Sequence, residues 1–192
     1  MIKMIEREKT LKLKKEYSTI QKLISKNKLI KETKEAKELI SKFKDAKSKG
    51  RFTKQLLFEI AKWKSHRRAY LCKLNRNRIV NKTFHELLFL SNEKDKMQRL
   101  RKLKGVQVPV ASAVLTMTDP KNYGVIDFRV WQTLYLYGLV DDKPLGSSLS
   151  LTNWIQYLEI IRSLAKNNKM KARDIDRTLF EYHKSLEQRI CK

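Results

Sequence analysis

Apolar residues recur at helical spacing along almost the whole chain, and this pattern is the strongest constraint on its fold. No segment alternates apolar and polar residues over the length of a strand, and only three prolines interrupt the 192 residues. A strand that covers a core would need that alternation, so the sequence predicts an all-α fold. The clearest apolar groups are Leu13, Tyr17, Ile20 and Ile24; Leu39, Ile40 and Phe43; Phe52, Leu56, Leu57, Ile60 and Trp63; Val80, Phe84, Leu87 and Leu88; and Met97, Leu100 and Leu103.

Polar and turn-forming residues divide this helical pattern into segments. Residues 28–35 are polar enough to separate two helices, and Gly50 marks the end of the second one. Thr53 stands where the next helix begins, and threonine is a favourable N-cap residue. The sequence therefore predicts a helical break before residue 36 and a new helix after Thr53.

The segment 141–150, DDKPLGSSLS, is the best linker candidate because it is rich in Gly, Ser and Pro. Two further helices are expected after it, at about 152–168 and 171–190. The predicted organisation is a basic N-terminal helical segment (1–50), a helical core (51–140), and a linker with C-terminal helices that pack on the core (141–192).

The charge is strongly positive and unevenly distributed. Lys and Arg number 44 against 20 Asp and Glu, which gives a net charge of +24. Residues 1–50 and 51–100 each carry a net charge of +9. A charge of this size opposes compaction by self-repulsion, so a polyanionic partner is the simplest explanation. The alternative is a lysine-rich, well-solvated surface without such a partner.

Several classes of protein are excluded by the residues that the chain lacks. Two cysteines, Cys72 and Cys191, cannot build a disulfide framework or a zinc finger, and a reducing cytoplasm is the expected location. No apolar run approaches the length of a membrane-spanning helix, and the N-terminus lacks the apolar core of a signal peptide, so no membrane partner is expected. The histidines show no metal-ligand spacing, and no nucleotide-binding fingerprint is present. We expect no metal and no small-molecule cofactor.

One stretch, residues 103–131, carries the most specific pattern: LKGVQVPVASAVLTMTDPKNYGVIDFRVW. A short turn, Lys104-Gly105-Val106-Gln107, lies between two helix-like segments. A helix of small residues is predicted from Val108 to Thr118, and a Pro-containing turn follows it. Asp127 then precedes another helix, where it is placed to act as the N-cap.

This stretch resembles the signature of the helix-hairpin-helix DNA glycosylase superfamily (the endonuclease III-like proteins). Leu103, Gly105, Val106 and Ala111 match the family's hairpin, roughly L-P-G-V-G-x-K-x-A. Asp127 falls on the family's catalytic aspartate. The resemblance implies a helix-hairpin-helix glycosylase-like fold, double-stranded DNA as the partner, and cleavage of an N-glycosidic bond.

Two departures from the family pattern narrow the implied activity. The lyase lysine of the bifunctional members is replaced by Pro109, which precedes Asp127 at the family's spacing. A proline cannot form a Schiff base, so the resemblance implies a monofunctional enzyme in which water attacks the sugar. The four-cysteine iron–sulfur loop of some relatives is absent as well. The second hairpin glycine of the family is Gln107 here.

The hairpin is the first predicted DNA contact. A glycine turn lets the backbone approach a phosphate closely, and the N–H groups of the following helix favour an anion. Such contacts position a duplex without reading its sequence. A second basic stripe lies beside Trp63 and is interpreted either as a phosphate contact or as a solvated helix face. The predicted DNA-binding residues are Lys102, Lys104, Gly105, Val106, Gln107 and Val108 in the hairpin, and Lys64, Arg67 and Arg68 in the stripe.

A base inside a duplex must be flipped out before a carboxylate can act on its glycosidic bond. Aromatic side chains would hold the flipped base, and Trp131, Trp63 and Tyr123 are the candidates. Arg129 and Asp176 are the supporting candidates, because a pair between them would fix the helix that follows Asp127. Asp174 and Asp176 could alternatively serve as a second carboxylate pair, although charge stabilisation of a helix start also explains them.

Three hypotheses about function follow. The first is a monofunctional DNA glycosylase that removes a modified or mismatched base and leaves an abasic site, acting as a monomer. The second is a non-catalytic helix-hairpin-helix protein that binds duplex DNA. The third is a bifunctional enzyme that uses a lysine elsewhere in the chain.

Overall fold

The computed structural model describes residues 2–27 and 31–190, and every element within these ranges is helical. The all-α prediction is therefore confirmed. The helices are α1 (Ile2–Leu11), α2 (Ile20–Lys26), α3 (Lys34–Ser48), α4 (Lys54–Lys64), a 3-10 helix (His66–Leu74), α5 (Asn77–Phe89), α6 (Glu93–Arg101), α7 (Val108–Thr118), α8 (Phe128–Leu136), α9 (Leu151–Asn168) and α10 (Ala172–Ile190).

The chain divides into two compact units. Unit 1 joins Met1–Lys31 to Gly124–Lys192, and unit 2 is Glu32–Tyr123. These bounds do not coincide with the expected division at residues 50 and 140. The N-terminal helices pack against the C-terminal ones within unit 1, and such long-range packing leaves no mark on local composition.

Helix α7 is the centre of unit 2. It packs against α3, α4 and α6, and most of its residues are buried. Its small side chains, including Ala111 and Ala113, let neighbouring helices approach closely, and the buried hydroxyl of Ser112 donates to Pro109 O at 2.8 Å. A second part of the core is aromatic: the rings of Phe52 and Phe84 lie with their centroids 5.0 Å apart.

Unit 1 is built around the packing of α10 against α8 and α9, and α1 and α2 cover them. Arg7 on α1 explains why the N-terminus belongs here. Its guanidinium donates to Tyr135 O at 2.6 Å and to Val140 O at 2.7 Å, and it also pairs with Asp141. Tyr135 O lies in the last turn of α8, where the helix dipole favours a cation, and Val140 and Asp141 lie in the segment that follows the helix.

The predicted linker, residues 141–150, packs against α8. The indole of Trp131 donates to Asp142 O at 3.1 Å, and Gln132 Nε2 donates to Leu145 O at 3.0 Å. Gly146 has φ +64°, and a Cβ there would meet the Phe128 backbone at 2.8 Å. Gly146 therefore reflects a tight turn against a helix, whereas Ser150 caps α9.

Most of the predicted helices are confirmed. Helix α7 spans the predicted Val108–Thr118, and Thr53 caps α4 by accepting from Leu56 N at 3.2 Å. The two C-terminal helices also lie where they were predicted. The predicted break at 28–35 falls between α2 and α3, but α3 already begins at Lys34, and 28–30 lie outside the described residues. Helix α1 lies within the predicted N-terminal helical segment, although its bounds were not predicted, and the 3-10 helix was not predicted.

We predict that Gly146→Ala lowers the free energy of unfolding by about 2–5 kcal/mol. The left-handed backbone costs an alanine about 1–2 kcal/mol, and overpacking against Phe128 adds about 1–3 kcal/mol. Gly138→Ala is the matched control. Gly138 has φ +75°, but a Cβ there would meet nothing within 4 Å in the described part of the chain. Urea denaturation should show Gly146→Ala to be the more destabilising change by at least about 1 kcal/mol; equal effects would contradict the close approach.

Candidate nucleic-acid interface

The predicted hairpin is present in unit 2 as a tight turn between α6 and α7. Helix α6 ends at Arg101 with Lys102 as its C-cap, and Val106 N donates to Leu103 O at 3.2 Å across the turn. Helix α7 begins at Val108, and Pro109 occupies its first turn, where a missing N–H costs nothing. The sequence pattern therefore identified a real change of direction between two helices.

Gly105 is required at the turn for two reasons. Its φ of +82° belongs to the left-handed region, and a Cβ there would meet Cys72 N at 2.8 Å and Cys72 Sγ at 2.9 Å. The glycine thus permits close packing of the turn against the 3-10 helix. The expected reason, a close approach of DNA phosphate, is not needed to explain this residue. Burial raises the pKa of the Cys72 thiol to about 11, so it stays protonated and serves as packing.

Asn75 holds the turn in place. Its Oδ1 accepts from Lys104 N at 3.0 Å, and its Nδ2 donates to Lys104 O at 2.9 Å and to Cys72 O at 2.9 Å. One buried amide therefore joins the end of the 3-10 helix to the hairpin backbone. Sequence reasoning missed Asn75, because nothing in its neighbourhood indicates a partner so distant in the chain.

This clamp creates a groove between the 3-10 helix and the hairpin, with a volume of about 470 Å³. Arg68, Lys104 and Gln107 line it, and all three are exposed. No acidic residue occurs between Glu59 and Glu86, a span that carries eight Lys and Arg. The groove therefore offers an anion several cations with no competing carboxylate from that span. Its other lining residues are Ser65, Ala69, Leu71, Leu74, Gly105, Pro109 and Val110.

The predicted basic stripe is only partly continuous. Helix α4 ends at Lys64, which is half-buried, whereas Arg67 and Arg68 are exposed on the 3-10 helix. Arg68 is the member that lines the groove. Trp63 is half-buried near the end of α4. The structure therefore joins Arg68 to the hairpin residues and places Lys64 on another helix.

Two predicted hairpin contacts can act only through their backbone. The side chains of Val106 and Val108 are buried, with exposures of 1% and 4%. They anchor the turn and the start of α7 in the apolar core of unit 2. The Val106 N–H already donates to Leu103 O, which leaves the Val108 N–H, at the start of α7, as the candidate phosphate contact.

Asp127, the predicted catalytic residue, lies in unit 1 as the N-cap of α8. Its Oδ1 accepts from Arg129 N at 2.9 Å, and its side chain is half-buried. The expected capping role is confirmed. His183, buried on α10, contacts Gln132 Oε1 at 2.6 Å through Nε2. Burial lowers the pKa of His183; the charge of Glu187 opposes that shift, and the charge of Asp127 opposes it less strongly.

The predicted pair between Arg129 and Asp176 is wrong. Arg129 Nε donates to Glu187 Oε2 at 2.8 Å, which ties α8 to α10. Asp176 is buried and pairs with Arg173 on its own helix, one turn away. The i, i+3 spacing on α10 brings Arg173 within reach without any long-range requirement.

Asp176 nevertheless supports the segment that leads to Asp127. Its Oδ2 accepts from Val125 N at 3.1 Å, and its Oδ1 accepts from Tyr157 OH at 3.1 Å. Burial raises the pKa of Asp176, although Arg173 and the Val125 N–H oppose the shift. Glycine is needed at position 124 beside this carboxylate, because a Cβ there would collide with Tyr157 Oη.

Two of the three predicted base-stacking residues are core residues. Trp131 has no exposed surface, because it lies on the inner face of α8 and its indole N–H is bonded to Asp142 O. Tyr123 is 5% exposed. Its hydroxyl donates to Glu93 Oε2 at 2.8 Å and accepts from Lys96 Nζ at 2.9 Å. Neither ring presents a face on which a base could stack.

Comparison with protein-family models, curated proteins and solved structures found no match to this chain. The assignment of the site therefore depends on the chain's own residues. Within the described ranges, no helix has both the length and the apolar character needed to cross a bilayer. The described residues also bring together no group of three or more His, Cys, Asp or Glu side chains suited to a metal ion.

We predict that Asn75→Ala lowers the free energy of unfolding by about 1–3 kcal/mol, because it removes the hydrogen bonds that hold the Lys104 backbone. The variant should also bind duplex DNA more weakly, since the hairpin loses its fixed position beside Arg68. Thermal denaturation and fluorescence anisotropy measure the two effects. Arg76→Ala, at an exposed neighbouring position, is the stability control and should change unfolding by less than about 0.5 kcal/mol. An Asn75→Ala protein as stable as the control would contradict the clamp.

Proposed function

We propose that this protein is a monofunctional DNA glycosylase that removes a modified or mismatched base and leaves an abasic site. The observation that carries the proposal is the basic groove formed by the hairpin and the 3-10 helix, on a chain that also places Asp127 at the start of α8. The partner is double-stranded DNA.

The groove and the hairpin supply the DNA contact. Lys102 and Lys104 flank the turn, and Arg68 faces it from the 3-10 helix. Cations and the N–H groups at the start of α7 bind phosphate oxygens without reading bases, so they position a duplex of any sequence. These contacts support DNA binding whether or not the protein cleaves a glycosidic bond.

Asp127 supplies the chemistry. Cleavage of an N-glycosidic bond builds positive charge on the sugar C1′ and ring oxygen, and a fixed carboxylate stabilises that cation. The same carboxylate can orient or deprotonate the attacking water. Asp127 is held by the Arg129 N–H, and the Asp176 carboxylate holds the backbone two residues earlier. The segment that carries the carboxylate is thus fixed on both sides.

Pro109 supports a mechanism that uses water. It lines the groove in the first turn of α7, at the position where the lyase branch of the family carries its lysine. Without an amine there, no imine with the sugar forms at this position. The base leaves, and the DNA strand stays intact.

The burial of Trp131 and Tyr123 favours a second candidate function. A protein that binds duplex DNA without cleaving the glycosidic bond needs the hairpin and its cations but no aromatic base pocket. The two candidates share every DNA contact described above. They differ in whether the carboxylate of Asp127 releases a base.

We predict that Asp127→Asn abolishes base release while duplex affinity stays within a few-fold of the wild type. Asparagine caps a helix as well as aspartate, so α8 should keep its start, and only the charge that stabilises the cation is lost. The assay is a panel of duplexes, each with one modified or mismatched base, scored for free base. Near-wild-type turnover by the variant on the best substrate would remove Asp127 from the catalytic role. If no duplex in the panel released a base with the wild-type protein, the non-catalytic candidate would be favoured.

We predict that the product is an intact strand with an abasic site, because Pro109 occupies the lyase position. Borohydride treatment during turnover should trap no covalent adduct between protein and DNA. Alkali should then cleave the strand at the abasic site. An adduct trapped in good yield would instead indicate the bifunctional hypothesis, with a lysine elsewhere in the chain as the nucleophile.

We predict a steep fall of duplex affinity with salt, with a log–log slope of about −0.9 for each neutralised phosphate. Changing Lys64, Arg67 and Arg68 together to Ala should flatten this slope. It should also lower the affinity for modified and unmodified duplexes equally. The charge-matched control changes Lys166, Lys171 and Lys184, which are exposed in unit 1. If the control flattened the slope as much as the stripe variant, the affinity would reflect total charge and not these residues.

A further inference from the structure

We propose that the groove between the 3-10 helix and the hairpin holds an unstacked purine base of the bound DNA, and that Gln107 contacts its edge while Arg68 holds a flanking phosphate. The inference rests on the proposed function only in taking DNA as the partner, and it does not require base release. It concerns unit 2 alone.

The walls of the groove suit a flat aromatic ligand. Leu71 and Leu74 face it from the 3-10 helix, and Pro109 and Val110 face it from the start of α7. Its volume, about 470 Å³, falls within the range of small-ligand sites, about 300–1,000 Å³. Apolar walls with a few polar groups are the usual composition of such sites.

Leu74 is 58% exposed although it belongs to the groove. Burial of this side chain by the fold would have been favourable, at roughly 25 cal/mol for each Å² of apolar surface removed from water. Its surface is instead left open beside cations. A base placed in the groove would cover this apolar surface, whereas a phosphate alone would not.

Gln107 supplies a polar group specific to this chain. It occupies the position of the second hairpin glycine in the helix-hairpin-helix glycosylases that this stretch resembles. The hairpin of this chain therefore carries a side chain that a glycine lacks. The side chain is exposed and lines the groove, and it does not satisfy the start of α7 by a capping hydrogen bond within the described structure. An amide that both donates and accepts is therefore presented to the groove without a structural task there.

Gln107 favours a purine. A glutamine amide pairs with N6 and N7 of adenine. Pyrimidines lack N7, so they cannot make this pairing. Arg68 and the other cations of the 3-10 helix and the hairpin then hold the flanking phosphates.

Nucleic acid is the occupant that fits the charge. The span from Glu59 to Glu86 contains no carboxylate between its ends and carries eight Lys and Arg. Lys104 lines the groove, and Arg101 and Lys102 precede it in the chain. A neutral metabolite would leave these charges uncompensated, whereas a base attached to a phosphate backbone satisfies both the apolar walls and the cations.

The test uses Asp127→Asn protein, so that no base is released, and three duplexes that are fully paired or carry one bulged adenine or one bulged thymine. Fluorescence anisotropy gives the affinities. We expect the bulged-adenine duplex to bind at least about fivefold tighter than the other two, the effect of one bidentate contact. Adding Gln107→Ala should weaken binding of the bulged-adenine duplex at least about fivefold more than binding of the paired duplex, which removes this preference.

Gln107→Glu is a second variant, since a carboxylate at a helix start is compatible with folding and lacks the amide donor. It should lose the preference as well. Gln98→Ala, at an exposed position on α6, is the matched control and should keep it. The proposal would be overturned if the three duplexes bound with equal affinity, or if the thymine bulge bound as tightly as the adenine bulge. It would also be overturned if the Gln107 variants lost the same fraction of affinity for paired and bulged DNA. Failure of every duplex to release a base with wild-type protein would reject the glycosylase activity and leave this preference measurable.

Discussion

The position of the hairpin depends on one buried amide and one close backbone contact. Asn75 bonds both the N–H and the carbonyl of Lys104, and Gly105 sits where any side chain would collide with Cys72. Together they fix the turn against the 3-10 helix. The groove, and the meeting of Arg68 with the hairpin cations, are consequences of that contact. The hydrogen bonds of the Asn75 amide hold the turn in place against the repulsion between Arg68 and the hairpin cations. Breaking these bonds would leave buried polar groups unpaired, which is unfavourable.

The charge distribution makes sense in the same terms. Eight Lys and Arg lie between Glu59 and Glu86 with no carboxylate among them. Repulsion between these charges destabilises the folded state of unit 2 when no anion is bound. The apolar core around α7 offsets that cost, since this helix is buried along most of its length. A bound polyanion would relieve the repulsion that the fold tolerates. The unbalanced span is therefore one of the observations that support the proposed polyanionic partner.

Local signals in the sequence predicted local structure well and distant contacts poorly. The limits of α7 and the caps Thr53 and Asp127 were predicted because each is determined within one helical turn. The 3-10 helix was missed because its residues, HRRAYLCKL, have no strong period. The groove required knowledge of Asn75 and of its partner Lys104, which lies beyond two intervening helices in the chain. Trp131 and Tyr123 were predicted to lie in a base pocket because an aromatic residue gives the same sequence signal whether it is buried or exposed.

The two aspartates of unit 1 show how the environment assigns different tasks to the same side chain. The sequence left Asp176 open as a second catalytic carboxylate. In the structure the Asp176 carboxylate pairs with Arg173 and accepts hydrogen bonds from Tyr157 OH and Val125 N–H, and it is almost wholly buried. A buried carboxylate whose charge is already balanced by an arginine is not accessible to a substrate cation. Asp127 keeps access to solvent and is bonded to the start of its own helix, so a catalytic carboxylate in this unit is better sought at Asp127, with Asp176 as the residue that positions its segment.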